Sequence, residues 1–89
     1  MSDRKYTVGE KIWHAKVYNR RRIRGSQRCD SKREACETAM CLWSLLDDCD
    51  QRGADVYAEE LEITAIDPGT GAIERTEITG ERVELLRAI

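Results

Sequence analysis

The stretch from Ser31 to Gly53 constrains this chain most, because there apolar residues recur at helical spacing. Ser31-Lys32-Arg33-Glu34 fits a capping box, in which the serine hydroxyl takes a free amide and the glutamate reaches back. Ala35, Ala39, Leu42, Leu46 and Cys49 then fall within about 80° of one another on a helical wheel, a stripe suited to burial. Glu34, Glu37, Ser44 and Asp48 fall opposite, and Gly53 is a natural C-terminal stop. The spacing predicts a helix over 32–52, roughly 31 Å long.

A single amphipathic helix needs a surface to cover, and the flanking segments read as strands. Residues 12–18 alternate, with Trp13, Ala15 and Val17 on one side and His14, Lys16 and Tyr18 on the other. Asn19-Arg20-Arg21 can turn the chain, and 22–28 returns with Ile23, Gly25 and Cys29 on one face. Tyr6-Thr7-Val8 either extends the first strand past Gly9 or forms a short strand of its own. After the helix, 57–66 alternates with Leu61, Ile63 and Ala65 inward. Asp67-Pro68-Gly69-Thr70 is a turn, proline presetting one central position and glycine supplying the positive φ of the other. Residues 72–79 form the partner strand, and the opposite parity of Ile73 and Ile78 predicts a bulge or a loose register. The tail 81–89 fits a strand through Val83, Leu85 and Ile89, or one helical turn through Leu85 and Ile89. The order β-β-α-β-β defines an α+β domain: an antiparallel sheet of about four strands, covered on one face by the helix and open on the other. Ala39, Leu42, Leu46, Trp13, Val17, Leu61 and Ile63 are expected to share one core.

At 89 residues the chain is read as a single domain, 1–89. With 36% charged residues and no run near ~20 apolar ones, it offers no membrane span. Met1-Ser2-Asp3-Arg4 lacks the apolar core of a signal peptide, so a cytoplasmic location is expected. The four cysteines, Cys29, Cys36, Cys41 and Cys49, show no C-x-x-C pair, which argues for free, mostly buried thiols and no metal site. The run Asp47-Asp48-Cys49-Asp50 reads as a solvated helix end rather than a cation site. His14 is the single histidine, with no acid or nucleophile at a recognisable spacing. Gly69-Thr70-Gly71 belongs to a turn and not a phosphate loop, and no carboxylate is embedded in apolar sequence that would raise its pKa. The chain is therefore expected to be non-enzymatic and to need no cofactor.

The charge is divided. Residues 1–33 hold eleven Lys or Arg against three Asp or Glu, a net of +8, and 34–89 hold four against fourteen, a net of -10. The basic peak is Arg20, Arg21, Arg22, Arg24 and Arg28 on the first hairpin. The acidic peaks are Asp47, Asp48, Asp50 and Glu59, Glu60, Glu62. On the predicted helix, Lys32 and Arg33 at the start and the aspartates at the end oppose the dipole, at roughly 0.3–1 kcal/mol each. Either the two halves neutralise one another across the sheet, or they form binding surfaces of opposite sign.

Trp13-His14-Ala15-Lys16-Val17, then Arg20-Arg21-Arg22, then Asp30-Ser31-Lys32-Arg33-Glu34-Ala35 and Trp43, resemble the amino-terminal arm-binding domains of phage tyrosine recombinases. The plant ethylene-response-factor DNA-binding domain is similar. The resemblance covers 12–46 and implies a small antiparallel sheet on one helix, with the sheet's basic residues in the DNA major groove. It makes Arg20, Arg22, Arg24 and Arg28 the DNA contacts; the second, acidic hairpin departs from the pattern. In size, architecture and surface the chain also resembles phage-encoded inhibitors of host defence, including anti-CRISPR proteins. That likeness implies that the six acidic residues occupy a basic channel meant for nucleic acid, while the arginine hairpin grips an acidic patch or guide RNA beside it. The leading expectation is thus a phage or mobile-element binding protein that inhibits a nucleic-acid-handling host complex. Its partner is then a host protein or ribonucleoprotein. The alternative is a DNA- or RNA-binding module using the arginine hairpin. A third is a structural phage protein that pairs through the open face, where Ile12, His14, Tyr18 and Tyr57 would support a homodimer.

Overall fold

Lys11–Asn19 form the strand on which the sheet is built (β1), and its alternation decides the rest. The computed structural model describes residues 5–86, so Met1-Ser2-Asp3-Arg4 and Ile89 lie outside the described residues. Beside β1 stand β2 (Arg22–Cys29) and β3 (Ala54–Ile66), and β4 (Ile73–Leu86) closes the order β2-β1-β3-β4. All three pairings are antiparallel, and α1 (Lys32–Ser44) covers one face, giving the expected α+β architecture.

Trp13, Ala15 and Val17 point to α1, and the pairings Ala15 with Ala58 and Val17 with Val56 bring β3 onto the same face. Ala35 and Ala39 are the buried side of the helix. Small side chains on both layers let helix and sheet approach closely. At Gly25 the approach is close: a Cβ there would stand 3.4 Å from Leu42 Cβ.

The helix begins as predicted and ends early. Ser31 Oγ accepts from Glu34 N at 3.2 Å, and Glu34 accepts from Asp30 N at 3.3 Å. The chain leaves the helix after Ser44 because Asp47 caps a second, short helix, α2 (Asp48–Gln51), accepting from Asp50 N at 2.9 Å. Leu46 is therefore only half-buried and Cys49 is exposed, against the predicted stripe. The dipole argument reverses too: Asp47, Asp48 and Asp50 stand at a helix start, where acids are favoured. Asn19, buried, donates to the carbonyls of Asp50 and Arg52 and ties α2 to the end of β1. Gly53 supplies the left-handed residue (φ 73°) that leads into β3.

The core is not one cluster. Ile12 pairs with Leu61, which places Leu61 and Ile63 on the face away from α1. There Ile12, Leu61 and Ile63 are buried with Tyr6, Ile66 and Ile73 against them. The register is the reason: the helix-facing residues of β3 are Ala54, Val56 and Ala58, smaller than those expected. The helix-free face is consequently less open than predicted, with Ile12 1% and Tyr57 7% exposed.

The outer strands carry the irregularities. A bulge opposite Val17 and Tyr18 turns Ile23 away from the face of Gly25 and Cys29, and leaves it exposed. Register shifts recur along β3 and β4, as the isoleucine parity predicted, and the tail continues as strand to Leu86. No separate strand forms at Tyr6-Thr7-Val8; Gly9 N donates to Ile63 O at 2.7 Å and carries the pairing of β1 onward. All four cysteines are free, but only Cys29 is buried, and burial pushes its thiol up. No helix among the described residues is long and apolar enough to cross a membrane.

Candidate nucleic-acid interface

Two residues join β1 to β2, and both take positive φ, as in the type I′ turn favoured at this loop length. They are Arg20 (φ 49°) and Arg21 (φ 67°). Asparagine and glycine suit such a turn; a larger L side chain there costs about 1–2 kcal/mol per residue. The turn therefore sets three consecutive arginines, Arg20, Arg21 and Arg22, at the sheet's end, all exposed. Among the described residues, these and Arg28 form no ion pair. Arg24 differs. At the bulge it turns to the helix side, where its Nη2 lies 2.6 Å from Asp50 Oδ2.

On the helix-free face, the pairings align one residue from every strand: Arg28 opposite His14, His14 opposite Glu59, Glu59 opposite Arg82. The next row is Ser26, Lys16, Tyr57 and Glu84. Glu59 is buried, and Lys16 Nζ stands 2.9 Å from its Oε1. That oxygen is sealed from water and takes no well-aligned hydrogen bond, so the contact is chiefly an ion pair. Burial works against the Lys16 charge, yet Glu59 outweighs it and moves the ammonium pKa up. His14 is half-buried; desolvation lowers its pKa, Lys16 and Arg28 lower it further, and Glu59 only partly opposes them. The Arg82 guanidinium carbon lies over Tyr57, 3.7 Å from the ring centre, and Tyr18 stacks beside Tyr57 at 6.1 Å. Burial between them pushes the Tyr57 phenol up.

The six acidic candidates do not converge. Glu60 and Glu62 share the faces of Trp13 and Lys11, on the helix side; Glu59 lies on the opposite face. Glu60 accepts from Thr79 Oγ1 at 2.7 Å, and Glu62 holds Lys11 at 2.9 Å. Asp47 caps α2, Asp50 holds Arg24 and Asp48 is exposed. Lys32 pairs with Glu81 at 2.9 Å and Arg33 with Glu37 at 3.2 Å. These pairs join the basic first part to the acidic second, so much of the polarity is neutralised within the fold. What remains basic is the arginine turn and Arg28. Sequence reasoning placed His14, Lys16 and Tyr18 on one face and Tyr57 on the open face with them, but did not single out Lys16 or Arg82, whose meeting with Tyr57 depends on register.

Among the described residues no three His, Cys, Asp or Glu side chains gather where they could hold a metal ion. Comparison with family models, with curated proteins and with solved structures gives no match.

Proposed function

We propose that this chain is a non-enzymatic nucleic-acid-binding module that presents the Arg20-Arg21-Arg22 turn and Arg28 to phosphates. One observation carries the reading: these arginines are exposed, find no acid among the described residues, and sit partly in a turn that costs stability. Arginine suits phosphate and guanine through its bidentate fork. The placement of acids favours the same reading. Glu60, Glu62 and the α2 aspartates lie on the helix side, so a duplex meeting the helix-free face avoids them and meets chiefly Asp55 and Glu84 among exposed or half-buried acids. Resemblance of 12–46 to the arm-binding domains, which use this face, agrees.

The test is a fluorescence-anisotropy titration with duplex DNA and duplex RNA over a salt series. Log affinity should fall against log salt with a slope of about -0.9 per phosphate contacted. Changing Arg20, Arg21 and Arg22 together to alanine should abolish measurable binding. Wild-type protein that binds neither duplex at low salt overturns the reading.

A second reading, inhibition of a nucleic-acid-handling host complex by the acidic surface, is favoured by one detail. Glu62 and Glu77 stand directly opposite across β3 and β4. Like charges in that position destabilise a sheet, so an acidic band persists there at some cost. Reversal of Glu60 and Glu62 to lysine separates the two readings: it strengthens nucleic-acid binding under the first and abolishes target capture under the second. Glu59 is kept out of that variant. It is buried against Lys16, and breaking such a pair costs about 3–5 kcal/mol.

A further inference from the structure

The row across the helix-free face extends the basic surface beyond the arginine turn, and no sequence motif marks it. Arg28, His14, Glu59 and Arg82 lie in register across all the strands, a span of about 14 Å at ordinary strand spacing. Arg28 is exposed at one edge. Arg82 stands at the other, its guanidinium 3.7 Å from the Tyr57 ring centre and its Nε 3.9 Å from Glu84 Oε1. Between them, the Glu59 carboxylate is buried and already engaged by Lys16, so the row itself shows a phosphate cations at both ends, with Glu84 in the next row beside Arg82 at a long 3.9 Å contact. We infer that Arg28, His14 and Arg82 form a second phosphate-binding site for the same nucleic acid, and that His14 gains a proton when the phosphate arrives. The inference rests on the nucleic-acid reading above.

The groups facing the imidazole are Arg28 from β2, Lys16 on its own strand and Glu59 from β3, with Arg82 and its neighbour Glu84 beyond on β4; α1 packs on the other face. In the free protein, desolvation and two neighbouring cations lower the His14 pKa, and Glu59 only partly opposes them. A bound phosphate cancels the field of those cations and gives the imidazolium a partner, so the proton becomes favourable. Nucleic-acid affinity therefore rises as pH falls through the histidine range.

The experiment measures the dissociation constant of a fluorescein-labelled DNA duplex between pH 8 and pH 5.5, at fixed ionic strength. A bound-state pKa one unit above the free value gives up to about tenfold tighter binding at the acid end. His14→Gln should lose the acid enhancement. Arg82→Gln should weaken binding at every pH and reduce the salt slope by about one. A direct check needs no variant: the imidazole proton shifts of His14, titrated by NMR, should give a higher pKa in the complex than in the free protein. Binding that is flat with pH, or an enhancement that survives in His14→Gln, overturns this inference and leaves the nucleic-acid reading standing. Absence of binding at any pH overturns both.

Discussion

The sheet reverses direction at two hairpins, and their turns are built from opposite chemistry. Between β3 and β4 the chain follows local preference. Asp67 Oδ1 accepts from Gly69 N at 2.8 Å, Asp67 O from Gly71 N at 2.7 Å, and Gly71 takes the left-handed position (φ 76°). Between β1 and β2, arginines take both left-handed positions, and their charges find no acid among the described residues. The apolar support differs in parallel. The second hairpin gives Leu61, Ile63, Ile66 and Ile73 to a buried cluster. In the first, β2 is exposed along most of its length, and Ile23 keeps 54% of its surface in water. Local rules are kept where the chain must hold together and broken where arginines are displayed, the pattern expected when a binding requirement overrides foldability.

The contrast breaks most directly if the two hairpins prove equally important to stability. Ile63→Ala, in the second hairpin, should cost about 2–5 kcal/mol through the cavity it leaves, a large share of the ~5–15 kcal/mol that holds a small domain. Ile23→Ala, in the first, should stay within about 0.5 kcal/mol. Urea denaturation of both variants gives the comparison, and similar midpoints for the two would refute it.

A smaller effect sharpens it. Replacing Arg20-Arg21 by Asn-Gly suits the two-residue turn and should stabilise the fold by about 1–2 kcal/mol, which in a domain this size raises the melting temperature by about 4–8 °C per kcal/mol. The same change removes two charges from the proposed interface and should weaken nucleic-acid binding. Stability and affinity thus move in opposite directions. A melting temperature that stays level would show that the arginine turn is not a strained one. The mirror experiment is Gly71→Ala: a Cβ meets nothing within 4 Å there, so the penalty is conformational, about 1 kcal/mol, with nucleic-acid affinity unchanged.

Much of this contrast was visible before any coordinates, because it is local. The capping box at Ser31, the alternation of Trp13, Ala15 and Val17, and a turn at 67–70 are each written within a few neighbouring residues. The errors share a different origin. Asp47 competes as a helix cap, and Leu45-Leu46 gave no warning of the break. The left-handed glycine of the second turn is Gly71, not Gly69. The faces of Leu61 and Ile63 depend on the pairing of β3 with β1, formed between segments far apart in sequence, and period-two alternation alone cannot choose between the two faces. The interface divides likewise. Its arginines were legible as a charge run, whereas the burial of Glu59 and the meeting of His14 with Arg28 required the register.

The smallest predicted effect concerns acid stability and has its source in the first hairpin, since His14 is the chain's single histidine. Its folded pKa lies below the ordinary 6.5, with desolvation the leading cause. Below pH 6.5 the unfolded chain binds a proton that the native imidazole resists, so the unfolded state holds more protons and stability falls with pH. This contribution is present above pH 6.5 and is lost as the pH drops toward the folded value. The comparison is therefore the change in melting temperature between pH 7.5 and pH 5.5, wild type against His14→Gln, with the wild type falling further. Groups other than His14 titrate alike in both proteins and cancel in the difference. Nucleic acid reverses the sign: free protein is destabilised by acid at His14, while the complex is strengthened by the same proton. A wild type and His14→Gln that lose equal stability on acidification would remove the desolvated imidazole from the account, and with it the physical basis for proton uptake on binding.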